Sequence, residues 1–125
     1  MRSLLLSLAI LAAVISVTVL GALYTDMRLE RFSDTVEKAI PNDEKDTKRI
    51  EEGAKAIEDE YESLQKYIIL FIHDDGVREI EEHISDIKSA AASDELGDAM
   101  TAKSRLILHI KQLRRLSKFS LEAIF

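Results

Sequence analysis

The residues best equipped for chemistry fall in one short stretch: His73, Asp74 and Asp75, then Glu79 and His83 one and two helical turns further on. Imidazoles beside carboxylates are the raw material of metal sites and of proton transfer, and Glu79 and His83, four residues apart, would share one helix face. Spacing argues against both chemistries. A carboxylate-bridged dimetal bundle needs Glu-x-x-His, yet the residues three before His73, His83 and His109 are Leu70, Ile80 and Leu106. His-Glu-x-x-His is missing, and no four-residue N, O or S set stands out. The five residues are therefore expected to be solvated neighbours or capping groups. His109, between Leu108 and Ile110, is expected at a boundary with one ring nitrogen satisfied. With four glycines in the chain there is little material for a phosphate loop or a nucleophile elbow. No catalytic residue, metal ligand or cofactor is assigned, and the aromatic residues Tyr61, Tyr67, Phe71 and Phe119, at helical spacing, are read as core.

What must position these residues begins with Leu4 to Tyr24, LLLSLAILAAVISVTVLGALY, 21 positions without a charge. At ~1.5 Å per residue such a helix covers about the ~30 Å hydrocarbon core of a bilayer, so a transmembrane signal-anchor is expected over 4–24, behind a short cytoplasmic head at 1–3. The orientation signal is mixed, with Arg2 ahead of the span and Arg28, Arg31 and Lys38 beyond it; the short head favours placing the body outside the cytoplasm. A cleaved signal peptide is the alternative, since Val19-Leu20-Gly21 and Leu20-Gly21-Ala22 offer small residues, although the apolar run is long for one and no Ala-x-Ala follows.

Residues 25–125 read as one extracytoplasmic helical domain. Charged residues are 32% of the chain against one proline and four glycines, a balance that suits long helices, and cysteine is absent, so there is no disulfide framework. Leu29, Phe32, Val36 and Ile40 carry a helix away from the span until Pro41-Asn42-Asp43 stops it and caps the next, from about Glu44 to His73. There Ile50, Ala54, Ile57, Tyr61, Leu64, Ile68 and Phe71 form a heptad seam, with Lys48, Glu51, Glu52, Lys55, Glu58, Asp59, Glu62 and Lys66 on the solvated side. The phase shifts at His73–Gly76, where a turn capped by Asp74 or Asp75 is preferred to a continuous helix; the next stripe is Val77, Ile80, Ile84, Ile87 and Ala91. Ser93 is expected to cap a last helix running to about Lys118, with Leu96, Met100, Leu106, Ile107, Ile110, Leu113 and Leu116 inward and the apolar tail 121–125 packed on the bundle. The fold class is thus all-α: one N-terminal transmembrane helix, then three to four antiparallel, heptad-patterned helices. Because the segment 25–40 rises only about 22 Å and the helix after it would be about 45 Å long, either a tilt near Tyr24 to Met27 or an oblique bundle is expected to keep its end out of the lipid.

Charge is unevenly spread: residues 26–66 carry 13 acids and 8 bases, 67–98 carry 9 and 2, and 99–125 carry 1 and 6. An acidic segment followed by a basic one fits neighbouring helices with complementary faces, and bases so few and so close to acids argue against nucleic acid.

The segment Ile69-Leu70-Phe71-Ile72-His73-Asp74, the following Ile80-Glu81-Glu82, and the ending Ser120-Leu121-Glu122-Ala123-Ile124-Phe125 resemble a bacterial family of small membrane-anchored helical proteins catalogued as a domain of unknown function. The likeness covers nearly the full length and implies a membrane helix followed by about a hundred helical residues, with no catalytic residues to carry over. Two positions depart from the family pattern, Ala123 where an amide is usual and Gly76 where a continuous helix is. The expectation is a non-enzymatic single-pass membrane protein with an interaction or scaffolding domain, its partners the bilayer and another protein or a second copy. A ligand- or ion-sensing bundle around Asp74, Asp75, Glu79 and Glu82 is the alternative from another class.

Overall fold

The structure, a computed structural model, describes residues 1–68 and 74–124, and the side chains of these apart from 67, 68, 74, 75, 117 and 119–124. Four helices account for nearly all of it: α1 (Arg2–Ala39), α2 (Thr47–Ile68), α3 (Asp74–Ala92) and α4 (Leu96–Ile124). Each packs on the next in sequence, and α4 closes the ring against α1. The second half of α1 and the three later helices make an up-down-up-down bundle, the architecture that short connections between amphipathic helices favour.

The seams predicted from periodicity are the core. Leu29, Phe32, Val36 and Ile40 of α1, Ile50, Ala54, Ile57, Tyr61 and Leu64 of α2, and Val77, Ile80, Ile84, Ile87 and Ala91 of α3 are all buried. Ile68 and Phe71 of the same seam lie outside the described side chains. Phe32 and Tyr61 pack with ring centroids 6.1 Å apart, while Gly53 sits against Ala39 and Ile40. These two contacts fix the register of the antiparallel α1–α2 pair, which sets the end of α2 level with Thr25.

That register removes the need for a tilt between residues 24 and 27. The helix α1 is unbroken from Arg2 to Ala39, and Ile40-Pro41-Asn42-Asp43 and the residues to Asp46 climb past its end before α2 begins. The cap is not Asn42 or Asp43 but Asp46, whose carboxylate accepts from the Lys48 N–H at 3.0 Å. Because α2 starts three residues later than expected and higher up, its other end stops short of the apolar half of α1.

At the junction near residue 74, α3 begins at Asp74 and Gly76 lies within its first turn. Helices α2 and α3 pack on each other, the Tyr61 hydroxyl donating to the Val77 carbonyl at 3.1 Å; residues 74–76, where a turn was expected, are helical, and His73 lies outside the described residues.

Ser93 does not cap α4. It ends α3: the Glu95 N–H bonds the Ala90 carbonyl at 2.8 Å and the Asp94 N–H that of Ala91 at 3.1 Å, a Schellman closure with Asp94 in the left-handed region at φ 57°. The Asp94 carboxylate accepts from the Thr47 hydroxyl at 2.6 Å, tying this turn to the start of α2.

In α4, Leu106, Ile110 and Leu113 are buried, and Leu96, Met100 and Ile107 half-buried, as the spacing predicts. Leu116 is not: it is 63% exposed. The inward stripe is instead completed by Ala99, Ala102, Lys103 and His109, and the helix continues past Lys118 to Ile124. The side chains of the tail, of Tyr67 and of Phe119 lie outside the described residues.

The first half of α1 has a different character. Among the described residues one helix, α1, is long and apolar enough to cross a membrane, and its apolar window is almost entirely uncovered by the rest of the chain.

Candidate functional site

Of the predicted polar cluster, Glu79 and His83 sit where α3 and α4 pack, and one residue expected elsewhere organises them. His109 of α4 is buried, with Nδ1 3.0 Å from the Glu79 carboxylate and Nε2 3.0 Å from the Gly76 carbonyl. Both contacts are to acceptors: a ring with one proton satisfies one of them, and the doubly protonated ring satisfies both. Both nitrogens thus face an acceptor, and a ring with one proton has the single satisfied nitrogen expected, though His109 is buried. His83 packs its ring against that of His109, centroids 5.7 Å apart, and its buried Nδ1 has no hydrogen-bond partner among the described residues.

Glu79, His83 and His109 thus come together, while His73 and the side chains of Asp74 and Asp75 lie outside the described residues. The arrangement is a helix-to-helix latch. Among the described residues no group of three or more His, Cys, Asp or Glu is disposed to hold a metal ion. The one signal in the sequence for His109 is its place in the α4 stripe, three residues from Leu106 and four from Leu113, a spacing that an apolar scan passes over.

A cavity of about 400 Å³ opens along the outer groove between α2 and α3, lined among others by Glu58, Tyr61, Glu62, Gln65, Glu81 and Lys88. Two of its carboxylates are committed. Glu58 accepts from the Lys88 ammonium at 2.7 Å, which holds the amine above the usual lysine range. Glu81 accepts from Tyr61 at 3.3 Å and Gln65 at 3.4 Å. Burial first, and then the neighbouring Glu81 charge, push the Tyr61 phenol well above its ordinary value, so it acts as a donor and not as a base.

Lys103 is a charged residue buried in the core, 2% exposed, with Nζ 2.7 Å from Asn42 Oδ1. Burial lowers its proton affinity, and Glu37 acts in the opposite sense. It spans α4 and the segment after α1.

At the other end of α4, Arg114 reaches across to α1 with Nε 2.9 Å from Asp26 and a second nitrogen 3.6 Å from Glu30, and Asp26 holds the guanidinium above its usual value. Lys111, Arg115 and Lys118 share that face of α4 and line a shallow cavity of about 270 Å³ with it. All three are exposed and make no ion pair among the described residues. The acidic and basic segments do meet, but the pairs that form are few, and this basic stripe is left facing outward.

Comparison of the chain with protein-family models, with curated proteins and with solved structures gives no match.

Proposed function

We propose that the chain is a single-pass membrane protein without enzymatic activity, whose four-helix bundle serves as an interaction or scaffolding module held at the membrane surface outside the cytoplasm. The observation that carries this reading is the division of α1. Of the large apolar residues that are exposed among the described ones, all but Leu108 and Leu116 lie at or before Met27. Each such side chain gains roughly 1.5–3 kcal/mol on leaving water. A dozen of them outweigh the roughly 5–15 kcal/mol that holds a domain together. A bilayer covers a bare helix of this length without help from other protein.

The bundle supplies docking faces more readily than chemistry. His109 is enclosed between the Glu79 carboxylate and the Gly76 carbonyl, Tyr61 is held protonated, and Lys103 is enclosed. The test is twofold. The full-length chain should float with vesicles and resist carbonate extraction, and protease added to intact cells should remove the bundle while leaving the apolar half of α1. Recovery of the intact chain from the aqueous supernatant refutes the anchor; an N-terminus beginning at Ala22 or just after it assigns the secreted alternative instead. Crosslinking in native membranes then reads the scaffolding claim, and a chain that captures neither a protein neighbour nor a second copy refutes it.

The cavity between α2 and α3 favours a second reading, a sensor for a small cationic ligand such as an amine. The acidic lining there is Glu58, Glu62 and Glu81. A ligand at 100 times its dissociation constant adds about 2.7 kcal/mol to stability. A thermal-shift panel of divalent cations and amines that moves nothing removes this reading.

A further inference from the structure

We infer that the stripe Lys111, Arg115 and Lys118 binds the anionic headgroups of phospholipids in the membrane that holds α1. This rests on the reading of residues 4–24 as a membrane span.

The register of α4 against α1 carries the argument. Arg114 pairs with Asp26, and Lys103 lies close enough to Glu37 to feel its charge, so the two helices run antiparallel with Arg114 level with Asp26. Asp26 is the first charged residue after the uncharged segment ending at Tyr24. At ~1.5 Å per residue Lys111 lies about 4.5 Å above that level and Lys118 about 6 Å below it, beside Ala22. The stripe therefore straddles the plane at which α1 leaves the hydrocarbon, within side-chain reach of the lipid phosphates that lie about 5 Å outside it.

Three further features fit that plane. Leu116 falls level with Tyr24 and is exposed, an expensive position in water and a suitable one at an acyl boundary. Val19, Gly21 and Ala22 are the residues of the apolar run that are partly covered, which is where the continuation of α4 to Ile124 passes. Long basic side chains next to apolar surface reach back to a headgroup with their charge while their stems stay in the acyl region. Arg114 is neutralised by Asp26 and Glu30, which leaves three cations on one helical face for an anionic lipid surface.

The experiment reconstitutes the full chain in phosphatidylcholine bilayers with trace spin-labelled phosphatidylglycerol or phosphatidylcholine and measures the motionally restricted fraction of each label. Phosphatidylglycerol should be favoured severalfold over phosphatidylcholine. Lys111→Gln/Arg115→Gln/Lys118→Gln should abolish the preference with helicity and flotation unchanged. Lys45→Gln/Lys48→Gln/Lys55→Gln, which removes equal charge at the far end of the bundle, should retain it. Equal restriction of the two labels by the parent chain overturns the inference, as does a preference that survives the first triple substitution or is lost in the second. Failure to restrict either label, with the chain left in the supernatant on flotation, refutes the membrane span itself.

Discussion

At Gly53 α2 packs tightly against the end of α1, and Gly53→Ala tests the packing of the whole bundle. A methyl group there would fall on the Ala39 carbonyl oxygen and within 2.9 Å of Ile40 Cγ1. The carbonyl belongs to the last turn of α1 and the Ile40 N–H is already bonded to Val36 at 3.2 Å, so neither can swing aside cheaply. Overpacking against a backbone atom costs about 2–3 kcal/mol, at the upper end of the usual range. Alanine returns about 1 kcal/mol through helix propensity. The net loss is about 1–2 kcal/mol, which for a domain of this size lowers Tm by about 5–15 °C. Gly97→Ala is the matched control: nothing lies within 4 Å of the added methyl, in the first turn of α4. It should gain about 0.5 kcal/mol and raise Tm by about 2–4 °C. Thermal melts of the full chain in detergent, followed by circular dichroism, read both. A Gly53→Ala chain as stable as the parent refutes the close approach, and with it the α1–α2 register.

Tyr61→Phe removes the hydroxyl that donates to the Val77 carbonyl and should cost about 0.5–1.5 kcal/mol at neutral pH. Because the folded state raises the phenol's proton affinity, the folded chain holds a proton above about pH 10 that the unfolded chain has lost, so the parent loses stability there as pH rises, and the variant, in melts across that range, should lack that component. Lys103→Met should match or exceed the parent at neutral pH, since it fills the same space without burying an ammonium. The parent, whose folded Lys103 binds its proton more weakly than the unfolded chain does, should gain stability as pH rises toward about 10.4, and Lys103→Met should lack that component. A double-mutant cycle of Asp26→Asn and Arg114→Gln should give a coupling of about 0.5–1 kcal/mol; zero coupling would undo the register on which the lipid stripe depends.

The helices of this chain were legible where apolar residues repeat cleanly. Ile50 to Leu64 and Val77 to Ala91 mark their buried faces with large aliphatic groups, and periodicity finds such faces directly. The same logic failed in α4, whose stripe runs through Ala99, Ala102, Lys103 and His109. Small and polar residues carry no hydrophobic signal, so Leu116 looked like the better candidate for the inside, although the bundle has ended at its level. Caps were missed for a related reason. Ser93 and Asp46 are both competent capping residues, and which end of which helix they serve depends on where the chain turns, a matter of tertiary register. In the candidate site, Glu79 and His83 were recognisable as one helix face, but the partner that binds them comes from α4, 26 residues beyond His83, and no local spacing announces it.

The unbroken course of α1 has a mechanical consequence. A rod without a joint cannot let its two ends lean independently. Under the proposed anchoring, if a bilayer thinner than the apolar segment makes the greasy end incline, as hydrophobic mismatch does, the attached bundle must lean by the same angle, lifting one flank from the surface and pressing the other down. Bilayer thickness then sets which side of the bundle is presented to its surroundings.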